Sequence, residues 1–467
     1  MNAKQTRSRS FDDGNRRVPG DLDTPVERVV VAGAGMAGLT VANALVHAGL
    51  ECLILEARDR TGGRLHTVNL GGWPVDLGGS WIHTPIGNPL TGFAELAGIA
   101  RRPGNPLPEI VGLDRQEARL LTATELDQVL RAMLEEFPAA VEELRGSIDP
   151  YSSVADAIDG FVNEHAQAGA SARRIRDAIT LLVELDTAAP PEAQSFTSFP
   201  PNSLEYEGDY LGDLPIGGYG RLVEAMGAGV EVRLGQEVEE VILSLGGVRV
   251  RTAAGLEEEC SHLVVTVPLG VLRRGGIKLD PPLPPDRVAT IDRLGFGRHE
   301  KVAMLFEEAF WRAAQVPHLM VLPRHSEGWT PWFIGLDSFG AGPILVAHAG
   351  GRSADRLNEL SESEAVAHLR ELIGEATGVA VPEPTEVARS AWAADPYAGG
   401  AYTYLPRGAS RSDLDLIGEP VAGRLLFAGE ATTSARVGFA DGAMTTGVRE
   451  AKRLIGAPDV VLGPLPV

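Results

Sequence analysis

Three glycines near the start of the chain have the spacing of a dinucleotide-binding loop. Gly33, Gly35 and Gly38 form the pattern G-x-G-x-x-G. The first glycine permits a tight turn, the second lets the backbone approach a pyrophosphate, and the third lets a helix pack on a strand. Glu56 follows at the distance at which a carboxylate accepts hydrogen bonds from a ribose. The pattern therefore predicts a dinucleotide site.

The elements around these glycines are those that such a site needs. The β-branched run at residues 26–32 is typical of a buried parallel strand, and apolar residues at helical spacing follow as far as Gly49. A second apolar strand at residues 52–55 ends at Glu56. This order places the positively polarised N-terminus of a helix beside the phosphates.

Two further segments indicate which dinucleotide binds. Residues 58–64 read R-D-R-T-G-G-R, and near the other end of the chain residues 426–432 read L-F-A-G-E-A-T, followed by G-F-A-D-G-A at 438–443. With the glycine loop, these segments resemble the FAD-binding motifs of the flavin amine oxidases. That family includes monoamine oxidases, polyamine oxidases and lysine-specific histone demethylases.

The resemblance extends over about residues 25 to 456, because three more segments match the family in its order. They are residues 75–83, 295–302 and 392–402. The ordered set is more specific than any single motif.

The resemblance implies that FAD is the cofactor and that it is bound non-covalently. In the monoamine oxidases the position of Ala401 carries a cysteine linked to the flavin, and alanine has no nucleophile. The residues implied to contact FAD are Gly33, Gly35, Ala37, Gly38, Glu56, Ala57, Arg58, Gly63, Arg64, Gly79, Ser80, Trp81, Val238, Gly429, Glu430 and Ala440.

The resemblance also implies which side chains serve the chemistry. Lys301 matches the lysine that holds a water at flavin N5, and the apolar strand after it predicts that it projects from a buried sheet. Tyr402 and Phe439 match two aromatic residues that face each other before the flavin, with Trp392 beside them. Because the cofactor accepts the hydride from the carbon next to nitrogen, these residues position the amine and organise the water for reoxidation by O₂.

His83, Glu205 and Glu207 are candidates for substrate binding. His83 ends a W-I-H run that lines the substrate tunnel of polyamine oxidases, although Thr84 replaces the glycine usual next. A histidine can hydrogen-bond an amine, and the alternative is an ordinary loop histidine. Glu205 and Glu207 belong to an acidic stretch that ends at Asp209 and resembles the segment before a G-G-Y motif in polyamine oxidases. This stretch is a candidate for binding a distal ammonium, with a solvated loop as the alternative.

The implied fold is α/β, with a Rossmann-like FAD domain interleaved with an α+β substrate domain. The FAD domain would take residues 25–105, 214–290 and 391–460, and the substrate domain residues 106–213 and 291–390. Capping boxes that begin at Thr122 and Ser361 predict helix starts in the substrate domain.

Alternation at residues 231–234, 238–242 and 247–251 predicts antiparallel strands that return to the FAD domain. Residues 1–24 are polar and basic, which predicts a disordered extension.

Composition limits the partners. The chain of 467 residues has 42 Lys and Arg against 63 Asp and Glu, a net charge of −21, which argues against nucleic acid and anionic membranes. This charge permits a cationic ligand, although on charge alone plain solubility is the favoured explanation. We expect no membrane span, because no apolar run approaches the ~18 residues required.

Two cysteines, Cys52 and Cys260, exclude a disulfide framework and predict buried thiols in a cytoplasmic protein. The sequence has no H-E-x-x-H or C-x-x-C pattern, which argues against a catalytic metal site. It has no G-x-S-x-G pattern either, which argues against a serine hydrolase.

We therefore predict an FAD-dependent oxidase that acts on a small-molecule amine with O₂ and releases H₂O₂ and an aldehyde, polyamine-type substrates being favoured. The alternatives are an oxidase of aryl-alkyl monoamines, an L-amino-acid oxidase, and an FAD-binding interaction protein without catalysis. An amino-acid oxidase needs an arginine in the pocket to bind the substrate carboxylate, and the sequence does not identify one. A histone demethylase is disfavoured because no long coiled insertion interrupts the substrate domain. The oligomeric state, a homodimer included, stays open.

Overall fold

The computed structural model describes residues 25–144, 149, 151–165, 169–196, 206–324 and 331–464. The predicted N-terminal extension and Glu205 lie outside these residues.

Helices and strands are mixed along the described part of the chain. The helices are α1 (Met36–His47), α2 (Pro89–Leu96), α3 (Ala123–Arg131), α4 (Phe137–Leu144), α5 (Val154–His165), α6 (Ala170–Thr187), α7 (Gly220–Gly227), α8 (Leu269–Arg273), α9 (Pro285–Arg293), α10 (Phe310–Ala313), α11 (Gly351–Asn358), α12 (Glu362–Thr377), α13 (Arg411–Ile417) and α14 (Ala440–Ile455). The strands are β1 (Arg28–Ala32), β2 (Glu51–Leu55), β3 (Thr67–Leu70), β4 (Trp73–Asp76), β5 (Arg101–Pro103), β6 (Ile110–Asp114), β7 (Arg119–Leu120), β8 (Asp213–Pro215), β9 (Glu231–Arg233), β10 (Val238–Ser244), β11 (Gly247–Thr252), β12 (Glu257–Cys260), β13 (His262–Val265), β14 (Lys278–Asp280), β15 (Gly295–Phe296), β16 (His299–Leu305), β17 (His318–Leu322), β18 (Trp332–Gly335), β19 (Ile344–Gly350), β20 (Glu386–Arg389), β21 (Thr403–Tyr404) and β22 (Leu425–Phe427).

A five-stranded parallel sheet carries the glycine loop. Its order is β22-β13-β1-β2-β9, so that segments from both ends of the chain meet in one sheet. Helix α1 packs on this sheet and against α14, and Leu39 and Leu45 of α1 are fully buried there. Burying a side chain of this size stabilises the fold by about 1.5–3 kcal/mol. The predicted strand–loop–helix unit and the α/β fold class are confirmed.

The strand prediction was wrong in one respect. Strand β9 does not belong to an antiparallel set but pairs in parallel with β2, whereas β10 and β11 form the expected antiparallel hairpin. Helix α7 directly precedes β9 in the chain. A strand that re-enters a sheet after such a helix typically pairs in parallel with its neighbour.

A seven-stranded sheet of order β20-β16-β19-β18-β17-β6-β7 lies on the other side of the site. Val302 and Met304 of β16 face the cluster that includes α12, whereas Lys301 and Ala303 point to the opposite face because side chains alternate along a strand. The side chain of Lys301 therefore lies on the face of this sheet opposite to the one covered by α12.

Both predicted capping boxes are present. Thr122 caps α3 with Glu125, and Ser361 caps α12 with Glu364, each through reciprocal side-chain and backbone hydrogen bonds. Such caps are worth about 1 kcal/mol each. They fix the start of each helix.

Cys52 and Cys260 are buried free thiols, as predicted, and burial raises the pKa of Cys52 to about 12 and of Cys260 to about 11. Among the described residues, no helix combines the length and hydrophobicity that crossing a bilayer requires.

Candidate active site

A cavity of about 1350 Å³ is lined by residues from both large sheets. Its volume exceeds the ~300–1,000 Å³ typical of small-ligand sites, so that it has room for a dinucleotide together with a substrate. The predicted site residues that line it are Gly33, Gly35, Ala37, Glu56, Ala57, Arg58, Gly63, Arg64, Gly79, Ser80, Trp81, His83, Val238, Lys301, Trp392, Tyr402, Gly429, Glu430, Phe439 and Ala440.

The three glycines play different geometric parts. Gly33 has φ +110°, a conformation that favours glycine. A Cβ atom at Gly38 would lie 2.0 Å from the carbonyl oxygen of Gly33, which explains why this residue packs behind the loop and does not line the cavity. A Cβ atom at Gly35 would have no atom within 4 Å, so the backbone there faces open space. This cradle fits a pyrophosphate.

Glu56 is fixed at the end of β2 by backbone donors. Its Oε2 accepts a hydrogen bond from Ala34 N–H at 2.6 Å and its Oε1 one from Arg58 N–H at 2.9 Å. A carboxylate has about four lone-pair directions, so capacity remains for hydroxyl donors from the cavity. The guanidinium of Arg58 forms two hydrogen bonds with Asp395, at 2.7 and 2.9 Å.

Glu430 joins the N-terminal and C-terminal motifs. Its Oε1 accepts from Arg64 Nη1 at 2.9 Å, and Oε2 accepts from Gly438 N–H at 3.0 Å. Arg64 Nη1 also donates to the Ala401 carbonyl oxygen at 2.7 Å. Because Ala401 precedes Tyr402, this network holds the aromatic wall against the loop of residues 58–64.

Lys301 is buried and fully hydrogen-bonded. Its Nζ donates to Asp76 O at 3.2 Å, Gly78 O at 2.5 Å and Ser80 Oγ at 2.6 Å. Burial lowers its pKa to about 8, against the attraction of the Asp76 carboxylate. In the ammonium form all three protons are engaged, so binding a water requires either the exchange of one contact or loss of a proton. The predicted role in holding water stays a prediction.

The aromatic side chains of the site are fixed from behind. The Tyr402 hydroxyl donates to Leu185 O and lies 2.9 Å from His299 Nδ1. The Phe439 ring packs edge-to-face on His83 at 5.2 Å, and the Arg436 guanidinium lies 4.5 Å from its centroid. The structure brings Tyr402 and Phe439 to one cavity, and their face-to-face arrangement stays a prediction.

The indole of Trp392 is also anchored. Its Nε1 donates to Leu77 O at 3.1 Å, and its ring packs edge-to-face on His66. This holds it beside the predicted catalytic residues.

His83 faces the cavity as an acceptor. Its Nδ1 lies 2.7 Å from the carbonyl oxygen of Tyr210, so Nδ1 carries the proton and Nε2 keeps a lone pair. Burial lowers its pKa to about 4. Thr84, which stands where polyamine oxidases usually have glycine, has φ +45°. This is the left-handed backbone conformation, which glycine adopts without the steric strain that a Cβ atom causes.

Further acidic residues line the cavity, among which sequence reasoning missed Asp186 and Glu142. Asp186 lies near the C-terminal end of α6, next to Leu185, and receives a hydrogen bond from Tyr210. Burial raises the pKa of Asp186 to about 7. Asp209 and Glu142 are exposed and line the cavity where it opens to solvent. Only a charged residue inside an apolar helical stretch signalled Asp186 in the sequence.

The structure differs from expectation at Glu207. This residue is exposed and does not line the cavity, because its backbone pairs with Ile86 in an isolated bridge at the surface. Asp209, two residues later, takes the place expected for it.

The chain is similar to a known protein family, to curated relatives and to a solved structure. The family described as flavin containing amine oxidoreductase matches residues 36–455. Lysine-specific histone demethylase 1 homolog 3 of Oryza sativa subsp. japonica is 32% identical over 464 residues, which cover 91% of this chain but 54% of that protein. The chain thus spans about half the length of this relative.

Two other similarities cover nearly whole proteins. Polyamine oxidase 4 of Oryza sativa subsp. japonica is 29% identical over 470 residues, 93% of this chain and 91% of that protein. A redesigned double mutant of putrescine oxidase has a solved structure that superposes with a TM-score of 0.73 at 22% identity, covering 93% of this chain and 100% of that chain. This likeness shows the fold.

Proposed function

The chain belongs to the flavin-containing amine oxidoreductase family and is an FAD-dependent amine oxidase, and from this we propose that its substrates are polyamine-type amines. In the proposed reaction O₂ is the electron acceptor, and an aldehyde and H₂O₂ are the products. The observation that carries the substrate assignment is the half-buried carboxyl group of Asp186, which lines the cavity beside the aromatic wall.

The residues present fit the cofactor. The open backbone at Gly35 and the N-terminus of α1 would hold the pyrophosphate, Glu56 the ribose, and the loop of residues 62–64 the remainder. Bound FAD supplies the hydride acceptor for amine oxidation. Ala401 offers no nucleophile for a covalent bond.

The protein's part is to orient a neutral amine and to keep water away. Tyr402 and Phe439 provide flat apolar faces, and a cationic head that approaches them gains about 0.5–2 kcal/mol. The substrate must lose its ammonium proton before hydride leaves its carbon, since an ammonium has no lone pair. His83 Nε2 is an uncharged acceptor for a substrate N–H.

Asp186 favours a substrate with a second positive charge. Leu185, its neighbour, accepts the hydrogen bond from Tyr402, so the carboxyl group lies close to the aromatic wall. A polyamine can place one nitrogen between the aromatic faces and a distal ammonium at Asp186, while each buried methylene contributes about 0.8 kcal/mol. A monoamine leaves the carboxyl group with its hydrogen bond from Tyr210 but without a positive charge to pair with.

A second candidate is demethylation of lysine side chains, favoured by the 32% identity to a histone demethylase homolog. A methylated lysine is also an amine on an alkyl chain, but it brings one nitrogen into the cavity instead of two.

The test is a comparison of kcat/KM for spermidine, spermine, benzylamine, tyramine and a dimethyl-lysine peptide, followed by peroxide release. We expect the polyamines to rank first, and their advantage to shrink between about 20 mM and about 500 mM salt, because salt screens charge interactions. An aryl-alkyl monoamine or the peptide ranking first at every ionic strength would contradict the assignment.

Replacing Asp186 by asparagine should weaken polyamine oxidation selectively. Loss of a buried charge partner costs about 2 kcal/mol, so we expect kcat/KM for spermidine to fall about 30-fold and that for benzylamine to change by less than about threefold. Glu207→Gln, which removes the same charge from the exposed surface, is the matched control. Equal effects of the two substitutions on spermidine would contradict the role of Asp186.

The pH dependence of this contact has a definite sign. Asp186 attracts an ammonium only as a carboxylate, and burial raises its pKa to about 7. Lowering the pH from about 8 to about 6 should therefore raise KM for spermidine in the wild type, whereas the asparagine variant should lack this component.

The cofactor should be releasable. Ala401 cannot form a thioether, so acid precipitation of the purified protein should leave the yellow chromophore in the supernatant. A chromophore that stays with the pellet would contradict non-covalent binding.

A further inference from the structure

His348 is a buried polar side chain with no hydrogen-bond partner among the residues that the structure describes. It lies in β19, is 6% exposed and lines the cavity. It pairs in register with Lys301 of β16 and Trp332 of β18. Within the described part of the chain, no group hydrogen-bonds to its ring nitrogens.

The nearest charged group and one nitrogen of the neighbouring histidine are already hydrogen-bonded elsewhere. Lys301 Nζ directs its three protons to oxygen atoms of residues 76, 78 and 80. His299 packs edge-to-face on His348, with ring centroids 5.7 Å apart, but its Nδ1 is bonded to the Tyr402 hydroxyl. The Trp81 ring lies 5.5 Å away and offers an aromatic contact. Among the described residues, His299 Nε2 and Trp332 Nε1 also lack partners, and neither hydrogen-bonds to His348. Because His348 lines the cavity, a bound ligand can supply the partner that these neighbours do not.

The imidazole is uncharged in this setting. Burial is the main cause that lowers its pKa well below its ordinary value, and the charge of Lys301 adds to the effect. A neutral imidazole has one N–H donor and one lone pair, and His348 lines the cavity. A ligand that donates a hydrogen bond to this lone pair gains that interaction when it binds.

We propose that His348 determines specificity by accepting a hydrogen bond from an N–H of the substrate amine. The assignment rests on the proposed function, because it takes the ligand of the cavity to be an amine. An uncharged acceptor binds an ammonium N–H without repelling its charge, and it gives no advantage to a nitrogen that carries no hydrogen. His348 thus favours primary and secondary amines over fully alkylated nitrogen.

The test uses two cations of nearly the same shape that cannot be oxidised. The first is 1,1-dimethylbutylamine, whose ammonium has N–H groups but no hydrogen on its α-carbon. The second is butyltrimethylammonium, which has neither an N–H group nor a lone pair. Calorimetric titration of the FAD-loaded wild type and of the variants His348→Leu and His348→Gln gives each Kd without turnover.

We expect His348→Leu to raise Kd for dimethylbutylamine about tenfold and to leave Kd for butyltrimethylammonium within about threefold, as for loss of one hydrogen bond. His348→Gln, which retains an acceptor, should restore most of the difference. Equal weakening of both probes would show that His348 only shapes the cavity, and no change in either would exclude any contact. Both results would overturn the proposal.

Two checks keep the result interpretable. FAD content and the melting temperature of each variant show whether it is folded, and His348→Phe, which keeps a flat ring without an acceptor, replaces the leucine variant if that one loses FAD. Because the probes are not turned over, a selective effect of His348 can be seen even if polyamines prove not to be substrates. Failure of the substrate assignment and failure of this inference are therefore distinguishable.

Discussion

Replacing Lys301 by methionine should slow reoxidation of the reduced enzyme by O₂ about 30- to 1000-fold. This range corresponds to about 2–4 kcal/mol of barrier, typical for loss of a preorganised hydrogen-bonding group. The substitution removes the ammonium group that donates to Ser80 Oγ and to the carbonyl oxygens of residues 76 and 78, while methionine fills a similar volume. Stopped-flow mixing of the reduced protein with O₂ measures the rate.

The pH dependence of this step should identify the charge of Lys301 as the cause. Reduction of O₂ develops negative charge, which an ammonium stabilises. Because burial lowers the pKa of Lys301 to about 8, the rate should fall as the pH rises through about 8, and the methionine variant should show no such fall.

Lys278→Met is the matched control, because Lys278 is an exposed lysine of β14 that pairs with Glu240 away from the cavity. Its reoxidation should equal that of the wild type. Normal reoxidation in the Lys301 variant would remove Lys301 from the mechanism.

Gly38→Ala should weaken FAD binding by about 10- to 100-fold or more. The added Cβ would lie 2.0 Å from Gly33 O and 3.1 Å from a methyl group of Val31, so α1 must move away from β1. Overpacking of this kind costs about 1–3 kcal/mol and more where backbone atoms collide, and here it displaces the phosphate-binding loop. Titration of the apoprotein with FAD gives the dissociation constant.

Gly92→Ala is the matched control for Gly38→Ala. Gly92 also lies within a helix, α2, but a Cβ there meets no atom within 4 Å, so alanine should be neutral or slightly stabilising. Retention of full FAD affinity by the Gly38 variant would contradict the packing argument.

The sequence predicts well what local geometry determines. Gly33, Gly35 and Glu56 act within one strand–loop–helix–strand unit, so their spacing alone places them at the ends of β1 and β2. Lys301 is also predictable, because the alternation along β16 decides which face it occupies. These features depend on neighbours in the chain.

The residues that sequence reasoning missed depend on distant packing. Asp186 enters the cavity because α6 ends beside Tyr402, more than two hundred residues later in the chain. His348 faces the site because β19 pairs with β16 in one particular register. Glu207 failed as a candidate because a bridge to Ile86 holds it at the surface. No local pattern encodes these three outcomes.

The central claim is that the protein oxidises polyamine-type amines with its bound FAD. The most direct measurement is the visible flavin absorbance of the purified protein after anaerobic addition of spermidine, with benzylamine as the parallel addition. We predict that spermidine bleaches the flavin within the time of mixing by hand, that benzylamine does so much more slowly, and that admitting O₂ restores the colour. A flavin that stays oxidised with spermidine, or that benzylamine reduces faster, would contradict the account.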